Sequence, residues 1–485
     1  MIRFLINQDT VELEEARADL TLLQYIREHR KKTGTKEGCA AGDCGACTVV
    51  LAEPDAKKPN TLHYRTVNSC ITLMSAVHGK QLILVEHLSS NGNLHPVQAA
   101  LVEYHGSQCG FCTPGFIMSM FALYHNNTKP NRDDVLHALS GNLCRCTGYR
   151  PIIEATLAAC AQAPNDQFTQ NAITTLKKLK ALSGLEDASD MQLGTGHILM
   201  PTTREALRDA IEQNPDAQLV AGSTDLSLQF TQQLKNVNKL ISLCHIDALK
   251  QCTTTEHSLT IGAAVPLNDA APLMLKRFPQ VAELITRFAS LPIRNQATLG
   301  GNVANASPIG DTPPLLLALN AVLHIDNGIA VRKLPISEFF VGYRKTKLAF
   351  NEWISAIEIP LLSSFQKIAA YKISKRFEDD ISAVCAVFNV TVENNVIVNI
   401  SAGFGGVAAT PVQCDALNNA LVGKPLSSQE CLTLGKQILH DAFAPIDDVR
   451  ASAAYRKTVL ANLWHRFWLE NQTENKIETR VVQHA

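Results

Sequence analysis

The chain has 485 residues, 46% of them apolar and 18% charged, with a formal net charge of −1. That length exceeds what one hydrophobic core supports and predicts three or four domains. The balanced charge leaves no electrostatic footprint for nucleic acid or an anionic membrane surface, and no apolar run approaches the roughly 18 residues of a membrane helix. The N-terminus turns polar too early for an export signal, so a soluble cytoplasmic protein is expected. Its 14 cysteines then sit in a reducing compartment, where clustered thiols read as metal or redox ligands before disulfides.

In chain order, residues 1–7 and 10–13 predict a short hairpin, and the Leu, Leu, Ile spacing over 20–28 predicts an amphipathic helix with Thr21 near its start. The loop 36–47 carries Gly38, Gly42 and Gly45, which let a backbone fold tightly and aim N–H groups at sulfurs. A strand at 48–51 and a helical stretch at 70–77 follow. The period then becomes helical over 96–105, 114–125, 132–139 and 151–161, with proline near three starts, where its missing N–H costs nothing. A four-helix bundle with its cysteine turns at one end is the economical arrangement. Residues 164–195 read as a polar, partly helical linker. Beyond them, 218–221, 239–242 and 258–261 predict strands, and 203–212 and 279–288 predict helices. A last unit has strands near 369–374, 384–392 and 396–402 and helices over 427–442 and 451–469. There is no internal repeat.

Eight cysteines form two quartets. Cys39, Cys44 and Cys47, followed by Cys70, have the Cys-x4-Cys-x2-Cys spacing of plant-type [2Fe–2S] ferredoxins. Cys109 and Cys112, then Cys144 and Cys146, pair a Cys-x-x-Cys turn with a Cys-x-Cys turn. Structural zinc needs the same four thiolates and stays an alternative, most of all for the second quartet. Three ligands in one glycine-rich loop, beside a second quartet, favour iron and electron transfer. Cys160, Cys244, Cys252, Cys385, Cys414 and Cys431 are scattered among apolar neighbours and read as packing.

Downstream there is no Gly-x-Gly-x-x-Gly after a strand, so a Rossmann site is unsupported. Two small-residue loops stand out: Leu219, Val220, Ala221, Gly222, Ser223, Thr224, Asp225, Leu226; and Thr298, Leu299, Gly300, Gly301, Asn302, the latter followed by a run ending at Asp311. Such loops let main-chain N–H groups reach a diphosphate, although as bare patterns both are more often ordinary tight turns.

The string Gly-Thr-Lys-Glu-Gly-Cys-Ala-Ala-Gly-Asp-Cys-Gly-Ala-Cys-Thr-Val (34–49) resembles the ferredoxin domain of the molybdenum hydroxylase family. Gln-Cys-Gly-Phe-Cys-Thr-Pro-Gly and Leu-Cys-Arg-Cys-Thr-Gly-Tyr-Arg-Pro resemble its helical domain. The small-residue loops, Tyr343-Arg-Lys-Thr and Lys375-Arg-Phe-Glu-Asp-Asp are similar to the flavin half of its xanthine dehydrogenase branch. The resemblance spans nearly the whole chain, in family order. Ala41 departs from it, standing where an acidic residue is expected, but it is not a ligand. The chain also ends where single-chain relatives continue into a molybdopterin-binding portion, so it resembles the small subunit of a split, bacterial-type enzyme.

That resemblance implies an α+β multidomain fold: a β-grasp [2Fe–2S] ferredoxin domain (1–78), a four-helix [2Fe–2S] domain (79–163), a linker (164–195), a two-lobed α+β FAD-binding domain (196–364), a C-terminal α+β domain (365–475) and a tail (476–485). It assigns the first quartet to the cluster nearer the flavin and the second to the cluster nearer molybdenum. FAD falls to residues 219–226 and 298–302 with Asp311, and to Phe288, Ile354 and Lys372. Phe288 and Ile354 read equally as core, and Lys372 as a solvated strand lysine. Tyr343 and the Asp379–Asp380 pair match the approach of NAD+, although such a charged run is ordinarily a solvated turn. No residue here is a nucleophile or general base. A large molybdopterin-binding partner subunit, within a dimer of heterodimers, would oxidise hypoxanthine or xanthine, and electrons would leave through this chain to NAD+. An aldehyde or N-heterocycle dehydrogenase, a stand-alone flavin/iron–sulfur reductase and a zinc-stapled scaffold are the alternatives.

Overall fold

The first strand, β1 (Ile2–Ile6), is buried along its whole length because it runs inside a five-stranded sheet. In the computed structural model, residues 1–183, 194–195, 197–377, 379–472, 477 and 479 are described. The chain divides into two units, Met1–Asp247 with Ser290–Ala297, and Ala248–Ala289 with Thr298–Ala485.

In the first unit, β1 joins β2 (Asp9–Leu13), β3 (Thr48–Pro54), β4 (Leu62–Asn68) and β5 (Gln81–Ile83) in the order β2-β1-β5-β3-β4, with only β1 and β5 parallel. Alternation along β3 sends Val49 and Leu51 into one core and Val50 and Ala52 into another. A sheet covered on both faces thus reads as a continuous apolar run. Thr21 and Gln24 form a capping box on α1 (Leu22–Gln24), which continues as a π-turn over Tyr25–His29. The helix expected at 70–77 shrinks to a 3-10 turn at Met74–Val77, since Leu73 pairs as a bridge with Thr21.

The bundle expected from the helical period consists of α2 (Pro96–Glu103), α3 (Thr113–Asn126), α4 (Arg132–Leu139) and α5 (Arg150–Ala159). Much of the stretch read as a linker is a further helix, α6 (Gln167–Ser183), because Phe168, Leu176, Leu179 and Leu182 are buried in the core of the bundle; residues 184–193 and 196 lie outside the described residues. Asp166 opens α6. Its Oδ1 accepts from the Thr169 N–H at 2.8 Å and hydroxyl at 3.0 Å, and its Oδ2 meets His95 Nε2 at 2.7 Å and His125 Nε2 at 2.9 Å. Because His95 Nδ1 accepts from the Val97 N–H, its proton sits on Nε2 and is donated to the carboxylate. Burial pushes the Asp166 pKa up, but the imidazole hydrogen bonds outweigh it and hold it well below the usual carboxylate range.

The bundle docks on the sheet through Asn142, buried between α4 and α5. Its Nδ2 donates to the Gly45 carbonyl at 3.1 Å and to Thr48 Oγ1 at 3.2 Å, and its Oδ1 accepts from Ser119 Oγ at 2.6 Å. Gly45 and Gly115 meet at this contact. A Cβ on Gly115 would strike the Gly45 carbonyl, and one on Gly45 would strike the Gly141 carbonyl. A small sheet, β6 (Gly194–Thr195), β7 (Ile198–Leu199), β8 (Gln218–Val220) and β9 (Leu240–Ser242), runs in the order β6-β7-β9-β8. Between its strands lie α7 (Arg204–Gln213), capped by Thr203, and α8 (Leu228–Thr231).

The second unit holds β10 (Cys252–Thr254), β11 (Ser258–Gly262), β12 (Val322–Asp326), β13 (Val331–Pro335), the short hairpin β14 (Phe340–Gly342) and β15 (Lys345–Thr346), and β16 (Trp353–Pro360), with a sheet ordered β10-β11-β16-β12-β13. The helices α9 (Leu267–Arg277) and α10 (Ala282–Thr286) follow β11; α10 falls inside the helix expected at 279–288, which opens instead as a 3-10 turn. A second sheet runs β17 (Gln366–Ile373), β18 (Val384–Glu393), β19 (Val396–Gly405), β20 (Val412–Gln413). The helices Asp415–Leu421, Gln429–Asp441 and Ala453–Glu470 share a core with it built on Phe388, Phe404, Trp464 and Phe467. The helix Thr312–Ala318 accepts from that sheet as well, from Ser401 Oγ at Leu317 O and from Asn389 Nδ2 at Ala318 O. No helix among the described residues is long and apolar enough to cross a membrane.

Asn142→Ala is expected to lower stability by about 1–3 kcal/mol in urea unfolding, since it leaves the buried Ser119 hydroxyl without its acceptor. Asp166→Asn should cost on the order of 3 kcal/mol at neutral pH. A depressed carboxylate stabilises fully above its unfolded pKa and loses that contribution as pH falls through its folded value. The gap between parent and variant should therefore shrink below roughly pH 4.

Candidate functional site

The first quartet grows out of the loop before β3. Cys39 Sγ accepts from the N–H groups of Ala41, Asp43 and Cys44, each at 3.4 Å. This wrapping uses positive φ at Gly42 and Gly45. Cys47 Sγ stands 3.3 Å from Cys70 Sγ, and both residues are buried. Thiol hydrogen bonds from Cys44 and Cys70 drive the Cys39 pKa far down, and one from Cys70 lowers that of Cys47; the donors Cys44 and Cys70 move up. All four sulfurs therefore act on one another.

The second quartet lies in the turns before α3 and between α4 and α5. The Cys112 and Cys144 thiols influence each other's acidity, as do those of Cys109 and Cys146. Burial, with the Cys144 thiol, pushes Cys112 up to about 12. Cys144 is buried too, but the Thr147 hydroxyl at 3.2 Å and nearby N–H groups bring its pKa below the ordinary thiol value. The Tyr149 hydroxyl accepts from the Cys144 N–H at 3.0 Å. Cys109 and Cys146 are exposed, as are the rings of Phe111 and Tyr149 and the side chain of Leu143. The two quartets touch through main chain: the Leu143 N–H, one residue before Cys144, donates to the Cys44 carbonyl at 3.0 Å.

Residues 219–226 leave β8 and are bound to the first quartet. Ser223 Oγ and Ser227 Oγ both donate to the Ile71 carbonyl at 2.8 Å, next to Cys70. Gln232 Nε2 donates at 3.0 Å to the carbonyls of Cys39 and Ala40. Within this loop Val220 is buried and Leu219 exposed, and Ala221 O accepts from Cys244 Sγ. Gly222 admits no Cβ, which would strike the Gln296 carbonyl, and Ser223 is left-handed. Among the described residues nothing accepts from the N–H groups of Ala221, Gly222, Ser223 or Thr224. A run of free donors on small residues suits a diphosphate.

In the second unit, the loop 298–302 behaves differently. Thr298 Oγ1 accepts from the Gly301 N–H, Leu299 and Gly300 donate to Val265 O and Ala263 O, and Asn302 donates to Thr298 O. Its N–H groups are spent on the chain itself, and Gly300 is pressed against Ala263. Asp311 and Lys372 form a buried ion pair at 2.5 Å, and Ser382 Oγ donates to the other carboxylate oxygen at 2.6 Å. Lys372 is thus no solvated strand lysine. Ile354 is buried in β16 opposite Ile325, and Phe288 is half-buried. Tyr343 is exposed, Asp379 is left-handed, and Arg376 pairs with Asp380, whose carboxyl it lowers. Glu378 lies outside the described residues.

Sequence reasoning missed Asn142, Ser227, Gln232 and Thr147. Only Thr147 carried a signal, as a hydroxyl directly after a Cys-x-Cys turn. Of the six cysteines read as packing, Cys160, Cys385 and Cys431 are buried, and burial raises their pKa, to about 12 for Cys160 and about 11 for Cys431. The donor sets fit their expected groups: two convergent thiol quartets for iron–sulfur clusters, and the free N–H run for a flavin diphosphate.

Comparison with known proteins agrees. The chain matches family models described as a 2Fe-2S iron-sulfur cluster binding domain (4–75), a [2Fe-2S] binding domain (84–157), an FAD binding domain in molybdopterin dehydrogenase (191–362) and a CO dehydrogenase flavoprotein C-terminal domain (369–471). It is 32% identical to xanthine dehydrogenase of Emericella nidulans over 99% of this chain and 39% of that protein. It is 31% identical to that of Drosophila subobscura over 96% of this chain and 39% of the relative. The chain thus spans about two fifths of the length of these relatives. In fold it resembles carbon monoxide dehydrogenase from Hydrogenophaga pseudoflava (TM-score 0.53, 24% identity, 56% of this chain and 94% of that one). It likewise resembles quinoline 2-oxidoreductase from Pseudomonas putida 86 (TM-score 0.52, 22% identity, 58% and 98%). With both thiol quartets, a flavin-type loop and all four domain types in order, the chain belongs to the molybdenum hydroxylases as their iron–sulfur and flavin-binding portion.

Proposed function

We propose that this chain is the electron-transfer part of a cytoplasmic xanthine dehydrogenase. A large molybdopterin-binding partner subunit oxidises hypoxanthine or xanthine, and electrons pass through this chain to NAD+, in a dimer of heterodimers. The observation that carries the reading is one hydrogen-bonded series: Cys144 follows Leu143, whose N–H meets the Cys44 carbonyl, and Cys70 precedes Ile71, whose carbonyl meets Ser223 and Ser227. It links the second quartet to the first and the first to the flavin-type loop, the order such a relay requires. Curated relatives near 30% identity are xanthine dehydrogenases, which favours a purine over other substrates.

When bound, iron–sulfur clusters exchange single electrons, and FAD interconverts these with the two-electron chemistry of nicotinamide. The residues supply the rest. Cys39, Cys44, Cys47 and Cys70 hold one cluster, and Cys109, Cys112, Cys144 and Cys146 the other. N–H groups at Cys39 and the Thr147 hydroxyl at Cys144 supply hydrogen bonds that tune potential. Residues 219–226 hold the FAD diphosphate by main-chain donors. In the second unit, residues 298–302, Asp311, Phe288, Ile354 and Lys372 are the further residues assigned to FAD, and Tyr343, Asp379 and Asp380 those assigned to NAD+. The exposed Phe111, Leu143 and Tyr149 beside the second quartet give the partner an apolar contact, and aromatic anchors of this kind dominate interfaces.

Metal, sulfide and flavin analysis of the purified protein should give about four irons, four labile sulfides and one FAD per chain, as two [2Fe–2S] sites and one flavin require; zinc in place of iron would overturn the reading. Phe111→Asp should reduce co-purification of the partner at least tenfold, in the range of an interface hot spot, while the flavin spectrum of this chain stays as it is. Full stoichiometry in that variant would move the interface elsewhere.

A further inference from the structure

Cys39 Sγ accepts three main-chain N–H groups, and two of the peptides that supply them carry a side-chain amide on their carbonyl end. The Asp43 N–H shares its peptide with the Gly42 carbonyl, which accepts from Asn68 Nδ2 at 2.6 Å. The Ala41 N–H shares its peptide with the Ala40 carbonyl, which accepts from Gln232 Nε2 at 3.0 Å. The same Gln232 nitrogen reaches the Cys39 carbonyl, also at 3.0 Å. Amide, peptide and sulfur are thus linked in series twice over, at a single thiol.

Neither amide is there to fill space. Asn68 ends β4, two residues before Cys70, and is fully buried, yet its Oδ1 has no hydrogen-bond partner among the described residues. An orphaned buried oxygen is costly, a penalty that an apolar residue of the same shape would not carry. Gln232 closes α8, beyond the flavin-type loop, and is exposed, but it reaches back to the thiol loop. The turn between them needs holding: Ala40 and Gly42 both have positive φ, and a left-handed residue with a Cβ persists only where its surroundings fix it. A carbonyl that accepts a hydrogen bond polarises its own peptide, and the N–H at the other end becomes a stronger donor, by about 10–30% per bond. An N–H···S bond strengthens as negative charge on the sulfur grows, so it favours the reduced form of a cluster and raises its potential.

We propose that Asn68 and Gln232 are positioning residues for electron transfer: through the Gly42–Asp43 and Ala40–Ala41 peptides they fix and strengthen two of the N–H donors on Cys39, and so hold up the reduction potential of the cluster bound by the first quartet. Asn68 belongs to the domain that carries the quartet, and Gln232 to the segment after the flavin-type loop, so the flavin side of the relay helps to set that potential. The inference goes beyond the proposed relay and rests on its reading of the first quartet as an iron–sulfur site.

The test is a mediated redox titration of the holoprotein as purified, read by the electron paramagnetic resonance of its reduced clusters, with iron and FAD content measured alongside. The signal of the second quartet is identified by its loss in Cys146→Ala. Gln232→Leu and Asn68→Leu should each shift the one-electron reduction equilibrium of the first cluster about threefold toward the oxidised form, roughly 30 mV, the scale of one weakened charge-assisted bond. The double variant should shift it about ninefold, roughly 55 mV. The second cluster, the iron and the FAD should stay as in the parent. A merely structural role would show as lost iron at an unchanged potential, or as both clusters moving together, and either result would overturn the inference. Because Gln232 is exposed, its variant decides the question even if Asn68→Leu fails to fold: a parent-like potential in Gln232→Leu overturns the inference and leaves the iron–sulfur reading intact. A parent protein without iron, or without a resonance signal after dithionite, would instead sink that reading, and the inference with it.

Discussion

The molecule depends on two main-chain carbonyls that each face two ways. The Cys44 carbonyl belongs to the thiol loop of the sheet domain and accepts from Leu143 of the helical bundle; the Ile71 carbonyl follows the last thiol of that quartet and accepts two serine hydroxyls. A buried carbonyl is costly to leave unpaired, and Ile71 is fully buried, so its two bonds resist opening. The thiols need no long side chains to be held in register, because the backbone that carries them is itself the connector.

The same economy governs the charges. Thiols that hold iron must ionise, and burial opposes it. In both quartets the opposition is met locally: by N–H groups and partner thiols around Cys39, and by the Thr147 hydroxyl and main chain at Cys144. Asp166 answers the same problem for a carboxylate, since two imidazoles and a helix start offset its burial.

What the sequence made legible was periodic or clustered. The cysteine spacing marked both quartets, and the period of 3.6 located α2 to α5 within a few residues. Strands β18 and β19 were readable because each is rich in β-branched residues, and β17 through its apolar stretch 368–371. The strands β12, β13 and β16 were not read: β12 and β13 form a hairpin across Asn327-Gly328, a turn signal that was overlooked, whereas β16 pairs with β11 and β12 from segments far apart in sequence. Asn142 had no local signature at all. It is an asparagine between Gly141 and Leu143, and only docking gives it partners. The two small-residue loops are alike in composition, but one keeps its donors and the other spends them opening a short helix. Composition cannot make that distinction, because it turns on where Val265 and Ala263 lie.

The glycine contact between sheet and bundle bears on rate as well as on stability. Gly45 and Gly115 meet backbone to backbone, so nothing there can swing aside for a methyl group; the collision is with a carbonyl, not with a flexible side chain. Any residue with a Cβ would have to push the helical domain off the thiol loop and stretch the gap between the two quartets. Electron tunnelling falls exponentially with distance. Two missing methyl groups therefore keep the quartets close, so in the proposed relay a change at either position would bear on the length of the electron hop as well as on folding.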